Sequence, residues 1–312
     1  MQGTFFATVS AMMVMFICML VGFVLRKAKV LPDNASTPIS KLVTFVLLPS
    51  LIINTFLRNC TVESIRGEYT LILYAIAGVT VNILLAFPFA RIFKVKGYQH
   101  NIYLYAMMSA NFGFLGNAVV PQILGEEALY PYMLFTMPLS FLCYAWWVNI
   151  MIPKDSHQAA WKRMLNPTCV SLVIGVVLGL SGAGKVMPKF LLTALSNLSG
   201  CMGPMAMLLT GFVIGSYKLS ELFSNKKVYA ASFVRCILLP GIVMVVLYLL
   251  GASQDVLVLA LFAFGAALGL NTVVIPTAYG GDPKTGASMA MISHLGCIIT
   301  IPVLYVLVML LT

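Results

Sequence analysis

Residues 109–122 read SANFGFLGNAVVPQ and residues 270–280 read LNTVVIPTAYG. Both stretches set amides, glycines and a proline inside long apolar runs. Asn111, Asn117 and Asn271 carry amides that donate and accept hydrogen bonds, and Thr272 adds a hydroxyl. Polar groups in an apolar setting need partners. Side chains of these types therefore line a polar cavity or repair broken backbone. Pro121 removes the N–H that would bond the carbonyl of Asn117, and Pro276 does the same to Thr272. Gly113, Gly116 and Gly269 weaken the same regions further. The spacing predicts two discontinuous helices with breaks at Pro121 and Pro276. The N-terminus of each second half-helix then offers free N–H groups and a partial positive charge. Two such ends aimed at one spot favour an anion such as a carboxylate. The freed carbonyls suit a cation instead. Asn117 and Asn271 stand where N-caps belong, and Asn111 lies upstream facing the same predicted cavity.

Two titratable residues lie within apolar runs. Intramembrane ionisable groups are functional candidates by default. His294 is the better placed for coupling transport to a proton, or for a structural hydrogen bond. Arg235 either faces an anion or snorkels to an interface. No Asp or Glu lies in the interior of an apolar run; Glu126, Glu127 and Asp282 sit just beyond the interrupted segments. Ser293 and His294 are neighbours, so on a helix they point about 100° apart and form no dyad. HExxH, GxSxG and paired intramembrane aspartates are missing from the sequence, so no catalytic residues are assigned. The seven cysteines show no CxxC and no His at metal spacing, which gives neither a disulfide framework nor a metal site. No cofactor is expected, and a coupling ion would be H+ or Na+.

The elements that hold these residues follow from composition. The chain has 312 residues, 61% hydrophobic and only 9% charged, against roughly 25% charged in soluble domains. It reads as an all-α integral membrane protein. Apolar runs of spanning length fall at roughly 5–25, 39–57, 69–92, 102–123, 129–152, 168–184, 188–216, 228–251, 255–278 and 286–311. The first run is too long for a signal h-region and its basic flank follows it, so it is expected to remain as a span. The net charge of +10 reflects basic loops, not a nucleic-acid partner. Arg26, Lys27, Lys29, Lys41, Arg91, Lys94, Lys96, Lys154, Lys162, Arg163, Lys218, Lys226, Lys227 and Lys284 fall in alternate loops; only Arg58, Arg66, Lys185 and Lys189 fall in the others. The positive-inside rule then places both termini outside a plasma or cytoplasmic membrane.

Ten spans divide into five plus five, and an odd number per half turns the second half upside down. Pro49 and Pro204, Pro121 and Pro276, and Gly125 and Gly280 are each 155 residues apart. LGNAVVPQILG (115–125) also resembles LNTVVIPTAYG (270–280) with one residue inserted. Paired interrupted segments at matching places in two halves point to a transporter binding site. The expected organisation is one five-helix repeat over 1–153, a short cytoplasmic linker over 154–167 and a second, inverted repeat over 168–312. Helices four and nine are broken and cross. A channel or a non-transporting receptor is the reading outside the carrier class.

The segments GFVLRKAKVLPDNASTPISKLVTFVLLPSLIINTF (22–56), NFGFLGNAVVP (111–121) and NTVVIPTAYGGDPKTGASMAMISHLGCIITIP (271–302) together resemble the auxin efflux carrier family, including its prokaryotic members. The resemblance implies an elevator-like motion of spans 3–5 and 8–10 against a scaffold of spans 1, 2, 6 and 7. It also implies a homodimer joined through that scaffold within membrane lipid. Its substrates would be organic anions: auxin-like acids, or dicarboxylates such as malate and malonate. Asn111 matches the family's substrate-holding Asn. Ala118 and Thr272 match its crossover prolines, with Pro121 and Pro276 displaced a few residues onward. The alternative within carriers is a sodium-coupled importer resembling bile-acid carriers.

Overall fold

The computed structural model describes residues 2–152, 167–279 and 281–311. The expected linker lies, save for its last residue, outside them. Among the described residues all regular structure is helical, and the one strand-like contact is a bridge between Ala110 and Leu268. An apolar chain in hydrocarbon satisfies its backbone internally, and the helix does this within a single segment. Among the described residues five helical segments are long and apolar enough to cross a membrane: Ser36–Asn59, Val62–Ile92, Lys189–Gly215, Lys226–Leu249 and Lys284–Leu310. Shorter apolar helices cover Phe112–Leu124, Val170–Leu180 and Gln254–Gly265. Gln2–Lys27 is also helical.

The helices pack in two groups. Gln2–Lys27 lies along Lys189–Gly215, while Pro167–Leu180 lies along Leu48–Asn59. The first pair approaches closely because of glycine: a Cβ on Gly22 would strike the Leu208 carbonyl, and one on Gly211 the Met19 carbonyl. In the second group Val62–Ile92 packs on Tyr98–Met108 and Leu129–Leu142, and Lys284–Leu311 packs on Lys226–Phe233 and Gln254–Gly265. Each group draws helices from both halves of the chain.

Four helices widen into π segments: Val43–Leu47, Phe112–Gly116, Cys143–Trp147 and Val234–Leu238. Pro49 and Pro240 follow the first and last of these at once. A proline ring presses on the carbonyl four residues back and offers no N–H. A local π turn absorbs that misfit.

The helix breaks do not fall at the prolines. Pro121 lies within Asn117–Leu124 and Pro276 within Asn271–Tyr279. The chain leaves the helix earlier, after Met108 and after Gly265. One missing N–H bends a helix without ending it. Ending one takes several lost bonds together, and Ser109 (ψ 124°) and Ala266 (ψ 157°) are fully extended.

Candidate functional site

The two breaks meet. Ala110 pairs antiparallel with Leu268, and the Asn111 N–H donates to the Ala267 carbonyl at 2.7 Å. Each irregular segment thus takes part of its hydrogen bonding from the other. Side chains supply the rest. The Leu268 N–H donates to Ser293 Oγ at 2.9 Å. Thr272 Oγ1 donates to the Gly269 carbonyl at 2.8 Å. Asn82 Nδ2 donates to the Met108 carbonyl at 2.8 Å and, more weakly, to that of Met107 at 3.5 Å.

Asn111 is almost fully buried, and its Nδ2 lies 3.2 Å from Nε2 of His294. The other ring nitrogen of His294, Nδ1, lies 2.6 Å from the Ala290 carbonyl. A carbonyl only accepts, so Nδ1 carries the hydrogen. In the neutral ring Nε2 is then the acceptor of the Asn111 amide. Asn271 donates to the Tyr105 hydroxyl at 2.8 Å, and that hydroxyl lies 3.1 Å from Cys143 Sγ. Arg235 does not snorkel. It is fully buried, and its Nη1 donates to Asn82 Oδ1 at 3.3 Å.

A narrow cleft, partly open at the molecular surface, runs beside the first break. Phe112, Gly113, Asn117, Met133 and Thr136 form one wall; Leu48, Ile52, Phe56 and Leu172 form the other. The cleft therefore lies between the two packed groups of helices. Asn117 Oδ1 is buried with no hydrogen-bond partner. Asn111, Asn271, Thr272, His294 and Arg235 lie outside that lining.

Gly116 and Ala118 serve close packing. A Cβ on Gly116 would run into the Tyr132 hydroxyl, which donates to the Phe112 carbonyl at 3.0 Å. The Ala118 methyl is 3.0 Å from where a Cβ on Gly203 would sit. Asn82, a polar side chain within an apolar run and so able to bond across helices, does so to Met108 and Arg235; sequence reasoning did not find Tyr105, Tyr132 or Ser293 as partners. The only signal was polar character within apolar runs.

Paired helix breaks, a buried amide oxygen without a partner and a cleft between helix groups belong to an all-helical protein with membrane-spanning segments. A family model described as membrane transport protein matches the chain twice, over residues 7–159 and 152–305. The chain belongs to this family, the auxin efflux carrier-like proteins. It is also similar to an uncharacterized transporter of Methanocaldococcus jannaschii, 24% identical over 289 residues, which span 90% of this chain and 92% of that protein.

Proposed function

We propose that this protein is a secondary transporter of small organic anions, carboxylates such as malate, malonate or auxin-like acids, working by elevator-type alternating access. The chain crosses the membrane ten times as two inverted five-helix repeats, with both termini outside. The scaffold spans 1, 2, 6 and 7 join two copies into a dimer, and spans 3–5 and 8–10 move. The substrate enters between the two groups against Gly113 and Asn117. Asn111, Asn271 and Thr272 stand behind that wall, and His294 is the candidate for proton coupling.

One observation carries this reading. Two interrupted helices from opposite halves pair at Ala110–Asn111 and Ala267–Leu268, beside a cleft that one unpartnered amide enters. Irregular backbone in a membrane persists only where protein or a cavity covers it. The half-helices Phe112–Leu124 and Asn271–Tyr279 bring positive ends to that place.

The test is calorimetric binding to purified protein, followed by uptake and counterflow in vesicles. A carboxylate binds at least tenfold more tightly than its amide, because charge-assisted bonds contribute roughly 1.5–3 kcal/mol. Asn117→Ala and Asn111→Ala each weaken binding without loss of folded protein. Equal binding of acid and amide defeats the anion reading, and unsaturable flux without counterflow makes the protein a channel.

A further inference from the structure

Arg235 is the one charged side chain among the described residues that is both fully buried and inside an apolar helix. The described ion pairs, Arg26–Asp33 and Lys284–Glu221, lie elsewhere. No carboxylate meets the guanidinium, and its Nε and Nη2 have no hydrogen-bond partner. A buried cation without a counter-charge is strongly unfavourable. Something in its surroundings must supply negative potential.

Two helix ends do. Tyr98–Met108 and Gln254–Gly265 both stop at the crossing, and each ends in freed carbonyls and about half a negative charge. Arg235 reaches the first end through Asn82, whose oxygen takes Nη1 and whose amide caps Met107 and Met108. At the second end Cys297 Sγ lies 3.6 Å from the Gly265 carbonyl. The turn Val234–Leu238 that carries Arg235 packs on Gln254–Gly265, and its Cys236 Sγ lies 3.7 Å from that of Cys297. One guanidinium therefore sits beside two helices that end in carbonyls. The widened turn Val234–Leu238 is what carries it there.

We propose that Arg235 is a resident cation, holding the place where a bound coupling cation would otherwise sit between the two carbonyl ends, so that this carrier works without sodium. In sodium-coupled carriers, unwound carbonyls and half-helix C-termini coordinate the ion. Here the Met107 and Met108 carbonyls are already taken by an amide, and the charge is covalently attached. The proposal rests on the transporter reading, but it makes a claim about the resting protein that needs no substrate.

That separation sets the experiment. The full-length protein, purified in detergent without substrate, is melted in sodium, potassium and choline chloride at equal ionic strength, alongside Arg235→Lys and Arg235→Gln. The wild type melts at the same temperature in all three salts within ~1 °C, while Arg235→Gln melts at least ~5 °C lower and Arg235→Lys keeps more than half of that difference. A folded Lys variant with no recoverable Gln variant has the same meaning. A sodium-specific rise in the wild-type melting temperature overturns the proposal, as does a Gln variant as stable as wild type or a Lys variant no better than Gln. If neither variant folds, the wild-type salt series decides alone. If chloride or acetate raises the wild-type melting temperature and the rise disappears in Arg235→Gln, Arg235 is an anion site instead. Absence of anion uptake in vesicles would sink the transporter reading and leave these melting results standing.

Discussion

The two breaks do the same topological job with different means. Seven residues separate the bridging Ala110 from Asn117, where the first second-half helix begins; three separate Leu268 from Asn271. The first break inserts the π segment Phe112–Gly116 into that interval, whereas the second runs almost directly into its helix. The surplus is about one helical turn. It carries Phe112 and Gly113, which with Asn117 face the cleft. Both breaks are held by outside helices: the first through Asn82, Tyr132 and His294, the second through Ser293 and Tyr105, with Thr272 bonded back to Gly269 as well. The two ends differ in what they face, since only the first lines the cleft.

The comparison can be tested most forcefully at Asn82. Asn82→Ala removes the cap on Met108 and, among the described residues, the one hydrogen-bond partner of the Arg235 side chain. It should cost about 3–5 kcal/mol, the usual penalty for orphaning a buried charge, read as a large fall in melting temperature or loss of monodisperse protein. A change below about 1 kcal/mol would mean that the first break does not depend on outside helices.

Gly116→Ala tests the extra turn. The new methyl meets the Tyr132 hydroxyl, and overpacking of this kind costs about 1–3 kcal/mol. Adding Tyr132→Phe removes the clashing oxygen and should restore part of the loss, although it gives up the bond to Phe112. A double-mutant cycle with no coupling would separate that turn from Tyr132.

Ser293→Ala probes the second break. It strips the Leu268 N–H of its acceptor and should cost about 1–3 kcal/mol, less than Asn82→Ala. The reverse order would mean that the second break leans more on its outside helix than the first.

The smallest effect is expected far from the crossing. The Lys284 ammonium 2.7 Å from Glu221 holds that carboxyl below its usual 4.5. A lowered carboxylate contributes stability above its unfolded value and loses it as pH falls through the lowered one. The contribution is therefore present above about pH 4.5. Both groups are exposed, so Glu221→Gln should leave melting near pH 7 unchanged within error. A clear drop would show that the Leu219–Leu222 turn anchors the last helix.

Much of this was legible in the sequence, for reasons that differ between residues. Asn111, Asn117, His294 and Arg235 stand out because polar groups are conspicuous in apolar runs; Asn111 and His294 meet at the paired breaks, Arg235 is tied to the first break through Asn82, and Asn117 lines the cleft. The prolines stand twelve and ten residues past the actual breaks, because a proline announces a lost bond while the extended Ser109 and Ala266 look unremarkable. Asn82 and Ser293 carry no local sign of which partner they hold, since those partners lie 26 and 25 residues away in the chain. The π segments were invisible because they arise from one surplus residue per turn, which composition does not record.

The pairing of Asn111 with Ala267 also sets an order for biogenesis. Synthesis runs from the N-terminus, and 156 residues separate the donor from its acceptor. Until the later segment is inserted, the extended stretch at 109–111 lies in the bilayer with its backbone open. A nascent chain ending before residue 266 should therefore stay bound to the insertion machinery or be degraded. Co-expression of the missing portion as a separate polypeptide should restore it.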